Sequence, residues 1–168
     1  MREFRGFSLI ELLAVIGIIV ILAGIIIPIA YRAEKRGLIH KARADIKKIE
    51  LAVEMYKTDM GYEPVTNDMD RVITWLTGVN LNGSLLTVTY GVVYNVRDGE
   101  LMWRGPYVDV YAIDRDTSGR IIDPWGVPYS FNALNPAHNT ATYDIYSVGP
   151  DRDGSTTADN ITNWGRGQ

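Results

Sequence analysis

Residues 6–30 read Gly-Phe-Ser-Leu-Ile-Glu-Leu-Leu-Ala-Val-Ile-Gly-Ile-Ile-Val-Ile-Leu-Ala-Gly-Ile-Ile-Ile-Pro-Ile-Ala, and from Phe7 to Ala30 the only charge is Glu11. As a helix at ~1.5 Å per residue this apolar run reaches about 36 Å, enough to cross the hydrocarbon core of a bilayer. A removable secretory signal fits poorly. The run exceeds the usual apolar length, a carboxylate interrupts it early, and its end at Pro28, Ile29, Ala30 and Tyr31 offers no small-x-small cleavage site. Glu11 is costly at membrane depth, about 2.5 to 3.5 kcal/mol on insertion scales. Either it stays protonated or reaches back to the nearer interface, or its cation comes from another chain, because no basic residue lies within the run.

Charge divides the chain on either side of this run. Met1–Gly6 holds Arg2, Glu3 and Arg5; Tyr31–Lys57 has eight basic and four acidic residues; Thr58–Gln168 has seven basic and fourteen acidic. Positive-inside counting does not orient the span, since Arg2 and Arg5 precede it while Arg32, Lys35 and Arg36 follow it. The whole chain has 168 residues, a formal charge of -3 and 46% hydrophobic content. These values suit one ordinary domain, not a disordered tail or a general nucleic-acid binder. With no cysteine, disulfides, thiolate zinc sites and thiol nucleophiles are excluded.

Gly17, Gly24 and Pro28 lie inside the apolar run, and a proline removes a helical hydrogen bond and crowds the preceding turn. A kink or melted turn is therefore expected near Gly24–Pro28. Farther on, Ile39, Ala42, Ile46, Ile49, Val53, Tyr56 and Met60 recur at alternating steps of three and four. That is the apolar stripe of an amphipathic helix that packs against a following domain. A continuous helix from Phe7 to Met60 would be roughly 80 Å long. The lysines and arginines of residues 31–57 make either a solvated face or a surface for acidic neighbours, steered by opposite charge.

Beyond Met60, glycines and prolines mark short elements. Met69–Leu76 suits a short helix, Leu85–Val96 is rich in strand-forming Thr, Val and Tyr, and Asp98-Gly99 reads as a turn. The expected class is α+β: a long N-terminal helix packed on a small C-terminal antiparallel β-sheet domain with loops. Nothing supports catalysis. His40 and His138 have no metal-type histidine partner, no serine sits in a nucleophile elbow, and Asp114 and Asp116 flank Arg115 in a turn-like segment. In Val148–Asn160, Asp151, Asp153, Asp159 and Asn160 bring four oxygen-bearing side chains into one glycine-containing loop. By composition this is either a solvated acidic loop or a calcium loop, and it lacks the ligand spacing of an EF-hand.

Gly6, Phe7, Ser8, Leu9, Ile10 and Glu11 with the apolar run behind them resemble the class III signal of type IV pilins and type II secretion pseudopilins. Four further clusters extend the resemblance: Trp103-Arg104-Gly105-Pro106-Tyr107, Asp123-Pro124-Trp125-Gly126-Val127-Pro128-Tyr129, Tyr143 to Asp151, and Ile161-Thr162-Asn163-Trp164. Together they are similar to the major pseudopilin family of type II secretion systems. The resemblance implies a pilin-like fold and removal of residues 1–6 by a prepilin peptidase that cuts after Gly6 and methylates Phe7. Residues 7–30 would then form the transmembrane and filament-core helix, 31–60 an amphipathic helix and 61–168 the globular head. Glu11 would meet the Phe7 amine of a neighbouring subunit, and such a pair is tolerable in a low-dielectric core where each charge alone is not. Gly24 and Pro28 would mark the segment used for extension.

The resemblance also implies calcium bound by the C-terminal loop. Asp151 and Asp159 carry over as side-chain ligands, Asn160 stands where an aspartate is often found, Val148 offers a carbonyl, and Asp153 lies beside them. The implied function is structural and not enzymatic: a homo-oligomeric helical pseudopilus that drives protein export. It would be stored as a single pass in inner-membrane lipid with its head in the periplasm or outside, and would work with minor pseudopilins and an inner-membrane assembly platform but no nucleic acid. The alternatives are a surface type IV pilin and a bitopic anchored binding module. The chain departs from the family pattern at Gly61–Pro64, where the tyrosine shifts, in the long segment 79–100, and at Pro150.

Overall fold

The structure is a computed structural model that describes residues 9–78, 103–109 and 111–165. Gly6, Phe7, the strand-like Leu85–Val96 and the Asp98-Gly99 turn lie outside the described residues. The chain divides into two compact units, Met1–Gly37 and Leu38–Gln168. Helix α1, Leu9–Met60, supplies residues to both.

In the first unit the apolar side chains of α1 find no shelter. Leu9 is 75% exposed, Val20 69% and Ile27 67%. This is the one described helix long and apolar enough to cross a membrane. The melted turn expected near Gly24–Pro28 is absent, because α1 stays helical through Pro28. Proline costs one N–H donor, that to the Gly24 carbonyl, and leaves the rest of the ladder intact. Where no water can satisfy the backbone, helix is the conformation that satisfies it internally.

In the second unit the predicted stripe becomes the core. Ala42, Ile46, Ile49, Val53 and Tyr56 are all buried, joined by Ala52 and by a carboxylate, Asp45. Helix α2, Met69–Thr77, follows. Asp68 caps it by accepting from the Asp70 and Arg71 N–H groups at 3.0 and 3.4 Å, which satisfies donors left over at a helix start. Gly78 ends it in the left-handed region at φ 71°, a conformation that suits glycine. Its apolar face, Met69, Val72, Ile73 and Leu76, joins the same core. Trp103 donates its indole N–H to the Trp75 carbonyl at 2.9 Å. Tyr107 ties its backbone N–H to the Leu76 carbonyl at 2.8 Å and its hydroxyl to Asp59 on α1 at 2.8 Å.

Three antiparallel strands follow: β1 (Ser130–Asn132), β2 (Asp144–Ser147) and β3 (Ile161–Thr162), in the order β1-β2-β3. The register pairs Phe131 with Ile145 and Tyr146 with Thr162. Alternation along a strand puts Phe131 and Ile145 on the buried side, and Phe131 stacks on Tyr143 at 5.0 Å. Ile145 is fully buried, whereas Leu134 just past β1 is 55% exposed. Ile145→Ala is therefore expected to cost about 2–5 kcal/mol, and Leu134→Ala less than about 0.5 kcal/mol. Denaturant midpoints of the two variants measure the difference.

Candidate functional site

The Asp-Pro-Trp-Gly-Val-Pro-Tyr run is a turn built on one carboxylate. Asp123 is buried, and its Oδ1 accepts from the Trp125 and Val127 N–H groups at 3.0 and 2.9 Å. Its backbone N–H donates to the Val127 carbonyl at 2.8 Å, and Gly126, at φ 87°, donates to the Asp123 carbonyl at 2.9 Å. The other carboxylate oxygen receives the Ser147 hydroxyl at 2.6 Å. That same hydroxyl accepts the Gly149 N–H at 3.1 Å. Charge-assisted bonds of this kind are stronger than neutral ones, so the aromatic turn fixes the end of β2 and the first residues beyond it.

A second buried carboxylate, Asp144, opens β2. It accepts from three successive backbone N–H groups, Ala137 at 2.8, His138 at 3.0 and Asn139 at 2.8 Å. Burial alone would push this carboxyl up. The three N–H bonds and the nearby His138 ring outweigh it and hold the group below the ordinary carboxylate range. The His138 ring stacks on Trp164 at 4.1 Å, and Trp164 meets Tyr146 edge-on at 5.8 Å. Asn163 lengthens the β2–β3 pairing through its N–H to the Ile145 carbonyl at 3.0 Å and its Oδ1 from the Ile145 N–H at 2.9 Å. The Tyr143 and Ile161 clusters thus prove to be the two strands that bracket residues 148–160.

Residues 148–160 are the β2–β3 connection, and a loop this long without regular structure needs restraint at its neck. Gly149 sits at φ 83°, and a Cβ there would lie 2.3 Å from the Asp159 carbonyl oxygen. Only glycine permits this approach. Asp151 donates its backbone N–H to Asp159 Oδ2 at 3.1 Å, while its own carboxylate accepts the Thr156 hydroxyl and the Asp153 N–H. Those two bonds hold the Asp151 carboxyl below its ordinary value. Asp153 accepts the Ser155 N–H at 2.9 Å and is likewise lowered by it. Arg152 takes the left-handed conformation at φ 60°.

The Asn160 amide faces two carbonyls, those of Val148 and Thr156. With its nitrogen turned inward it donates to them at 3.0 and 3.2 Å. With its oxygen turned inward, three oxygen acceptors would converge, an arrangement that a cation could satisfy. At the neck Asp151 bonds to Asp159 and the Asn160 amide faces the Val148 carbonyl, while Asp153 accepts from Ser155. Thr156 is the residue that composition missed, since a backbone carbonyl has no compositional signature. No group of three or more Asp, Glu, His or Cys side chains among the described residues is arranged to hold a metal. At the other end of the chain, Glu11 lies in the first turn of α1.

In the Leu38–Gln168 unit the second half of α1 shares one core with α2 and a small antiparallel sheet, an α+β arrangement. A family model described as "Type II secretion system (T2SS), protein G" matches residues 94–164, and one for the "Prokaryotic N-terminal methylation motif" matches residues 1–27. The chain is 32% identical over 165 residues to the type II secretion system core protein G of Escherichia coli K12, covering 96% of this chain and 91% of the relative. It is 27% identical to that of Pseudomonas aeruginosa, covering 97% and 96%. A solved structure, the major pseudopilin from the type 2 secretion system of enterohaemorrhagic Escherichia coli, matches at 20% identity with a TM-score of 0.47 over 81% of this chain and 92% of that one. The chain belongs to the type II secretion system core protein G family.

Two outcomes follow from the geometry. Because the folded Asp144 carboxyl titrates below its unfolded value, its contribution is complete above about pH 4 and is lost as pH falls through the folded value. Asp144→Asn should flatten the acid limb of a stability-against-pH curve below about pH 4. Gly149→Ala should destabilise by about 1–3 kcal/mol through backbone strain alone, with the clash against Asp159 adding to it, and Gly154→Ala should not; thermal melts compare them.

Proposed function

We propose that this chain is a structural subunit that polymerises into the periplasmic pseudopilus of a type II secretion system. The observation that carries the reading is the unsheltered apolar half of α1, because large apolar side chains from Leu9 to Ile29 are about half or more exposed. Surface of that kind requires lipid or other copies of itself. Family membership and the methylation motif support the same reading. A prepilin peptidase cuts between Gly6 and Phe7 and methylates the new amine. The chain then waits as a single pass in the inner membrane, head outward, until an assembly platform, working with minor pseudopilins, adds it to a filament. Its work is mechanical and not enzymatic.

Glu11 serves assembly in this reading. Its carboxylate and the Phe7 amine of the next subunit neutralise one another where neither charge is tolerable alone, which sets register as the filament grows. Glu11→Ala is expected to leave membrane insertion intact and to abolish or sharply reduce filaments counted by electron microscopy. Normal filaments from the variant would refute the pairing.

Calcium completes the loop in the same proposal. The carboxylates of Asp151 and Asp159, the Asn160 amide oxygen and the carbonyls of Val148 and Thr156 supply the hard oxygens that the ion prefers. Bound across the neck of the β2–β3 connection, it stabilises the folded state by mass action. At a hundredfold excess over the dissociation constant that is about 2.7 kcal/mol, or roughly 5–10 °C in melting temperature for a chain of this size. Chelation should remove the shift, and an Asp151→Ala chain should melt at one temperature with and without calcium. Identical melts of the parent chain in calcium and in chelator would remove the metal from the account.

A further inference from the structure

Seven of the eight lysines and arginines of α1, all but Arg43, fall into two groups. Four lysines in the Leu38–Gln168 unit are committed inside the chain: Lys41 to Asp114, Lys47 to Glu50 at 2.5 Å, Lys48 to Asp45 at 2.9 Å and Lys57 to Glu63 at 2.5 Å. Arg32, Lys35 and Arg36 have no ion pair among the described residues, and all three are exposed. At about 100° per residue, Tyr31, Lys35, Arg32 and Arg36 span an arc of about 140°, with Glu34 outside it. Three like charges within one turn repel unless something anionic faces them.

Their depth says what that is. Leu9 to Ala30 fills about 33 Å of helix, close to the hydrocarbon thickness. Tyr31 then stands at the boundary, where tyrosine is favoured, and the cations stand in the layer of lipid phosphates. We infer that Tyr31, Arg32, Lys35 and Arg36 form a collar that binds the phosphates of anionic phospholipid on the side of the membrane where the head emerges. The inference rests on reading α1 as membrane-spanning. Lipid is favoured over the acidic residues of a second copy because the cations begin immediately after the apolar run. Insertion of that run brings them to the phosphates without any assembly step. The collar holds the stored subunit at one depth, and extraction into a filament has to exchange these phosphates for other partners.

The test is native mass spectrometry of the full chain released from mixed micelles of equimolar phosphatidylglycerol and phosphatidylcholine. Retention of phosphatidylglycerol over phosphatidylcholine should be at least tenfold, since each cation contributes up to about fivefold near an anionic surface. The triple change Arg32→Gln, Lys35→Gln, Arg36→Gln should bring retention to parity. Arg32→Lys with Arg36→Lys should keep the preference, and Glu34→Gln should raise it. Parity in the parent chain, or an undiminished preference in the triple variant, overturns the collar. Parity in the parent chain together with loss of self-association by the triple variant in phosphatidylcholine vesicles gives these cations to a second copy and overturns it too. Alkaline extraction of the chain from vesicles is a separate result, because recovery in the supernatant would defeat the membrane-spanning reading itself.

Discussion

The rest of the structure depends on one imbalance: the first half of α1 carries apolar side chains that nothing among the described residues covers. At about 25 cal/mol per Å² of apolar surface, leaving such a helix in water is prohibitive, so the molecule is complete only in lipid or among copies of itself. The second half of α1 solves the same problem internally. Ala42, Ile46, Ile49, Val53 and Tyr56 bury against α2 and the aromatic turns, so that unit needs no partner for its core. One helix thus joins a segment that must find an environment to a unit that carries its own.

The Leu38–Gln168 unit is small and has no disulfide, and its loops are held by buried carboxylates instead. Asp123 gathers two backbone N–H groups and a serine hydroxyl, and Asp144 gathers three backbone N–H groups. Each satisfied carboxylate makes several charge-assisted bonds, and each leaves the loop around it little freedom. Asp123 reaches through Ser147 to Gly149, so the aromatic turn and the neck of the β2–β3 connection are mechanically one piece. A cation at that neck would close the remaining gap.

How much of this the sequence revealed depends on whether a feature has a period or a signature. The apolar stripe of α1 was legible because burial follows the 3.6-residue repeat, but Asp45 was not, since an apolar count passes over a buried carboxylate. Helix α2 was expected at Met69–Leu76 and runs to Thr77, but its caps, Asp68 and Gly78, came only with the structure. Of the kink or melted turn expected at Pro28, the melted turn is absent, because one lost hydrogen bond leaves the remainder of the ladder intact. Acidic residues of the 148–160 loop were visible as composition. That Gly149 and Asp159 touch, and that the Thr156 carbonyl faces Asn160, depends on strand pairing that no local pattern encodes.

The absence of native cysteine gives the central claim a clean measurement. Cysteines introduced together as Leu12→Cys and Ile19→Cys lie about 10 Å apart along α1, too far to bridge within one chain, so any disulfide between these positions joins two copies. The account predicts a ladder of cross-linked multimers in cells with a working secretion apparatus and essentially monomer where its assembly platform is disabled. Monomer under both conditions, with the chain correctly inserted, would contradict it.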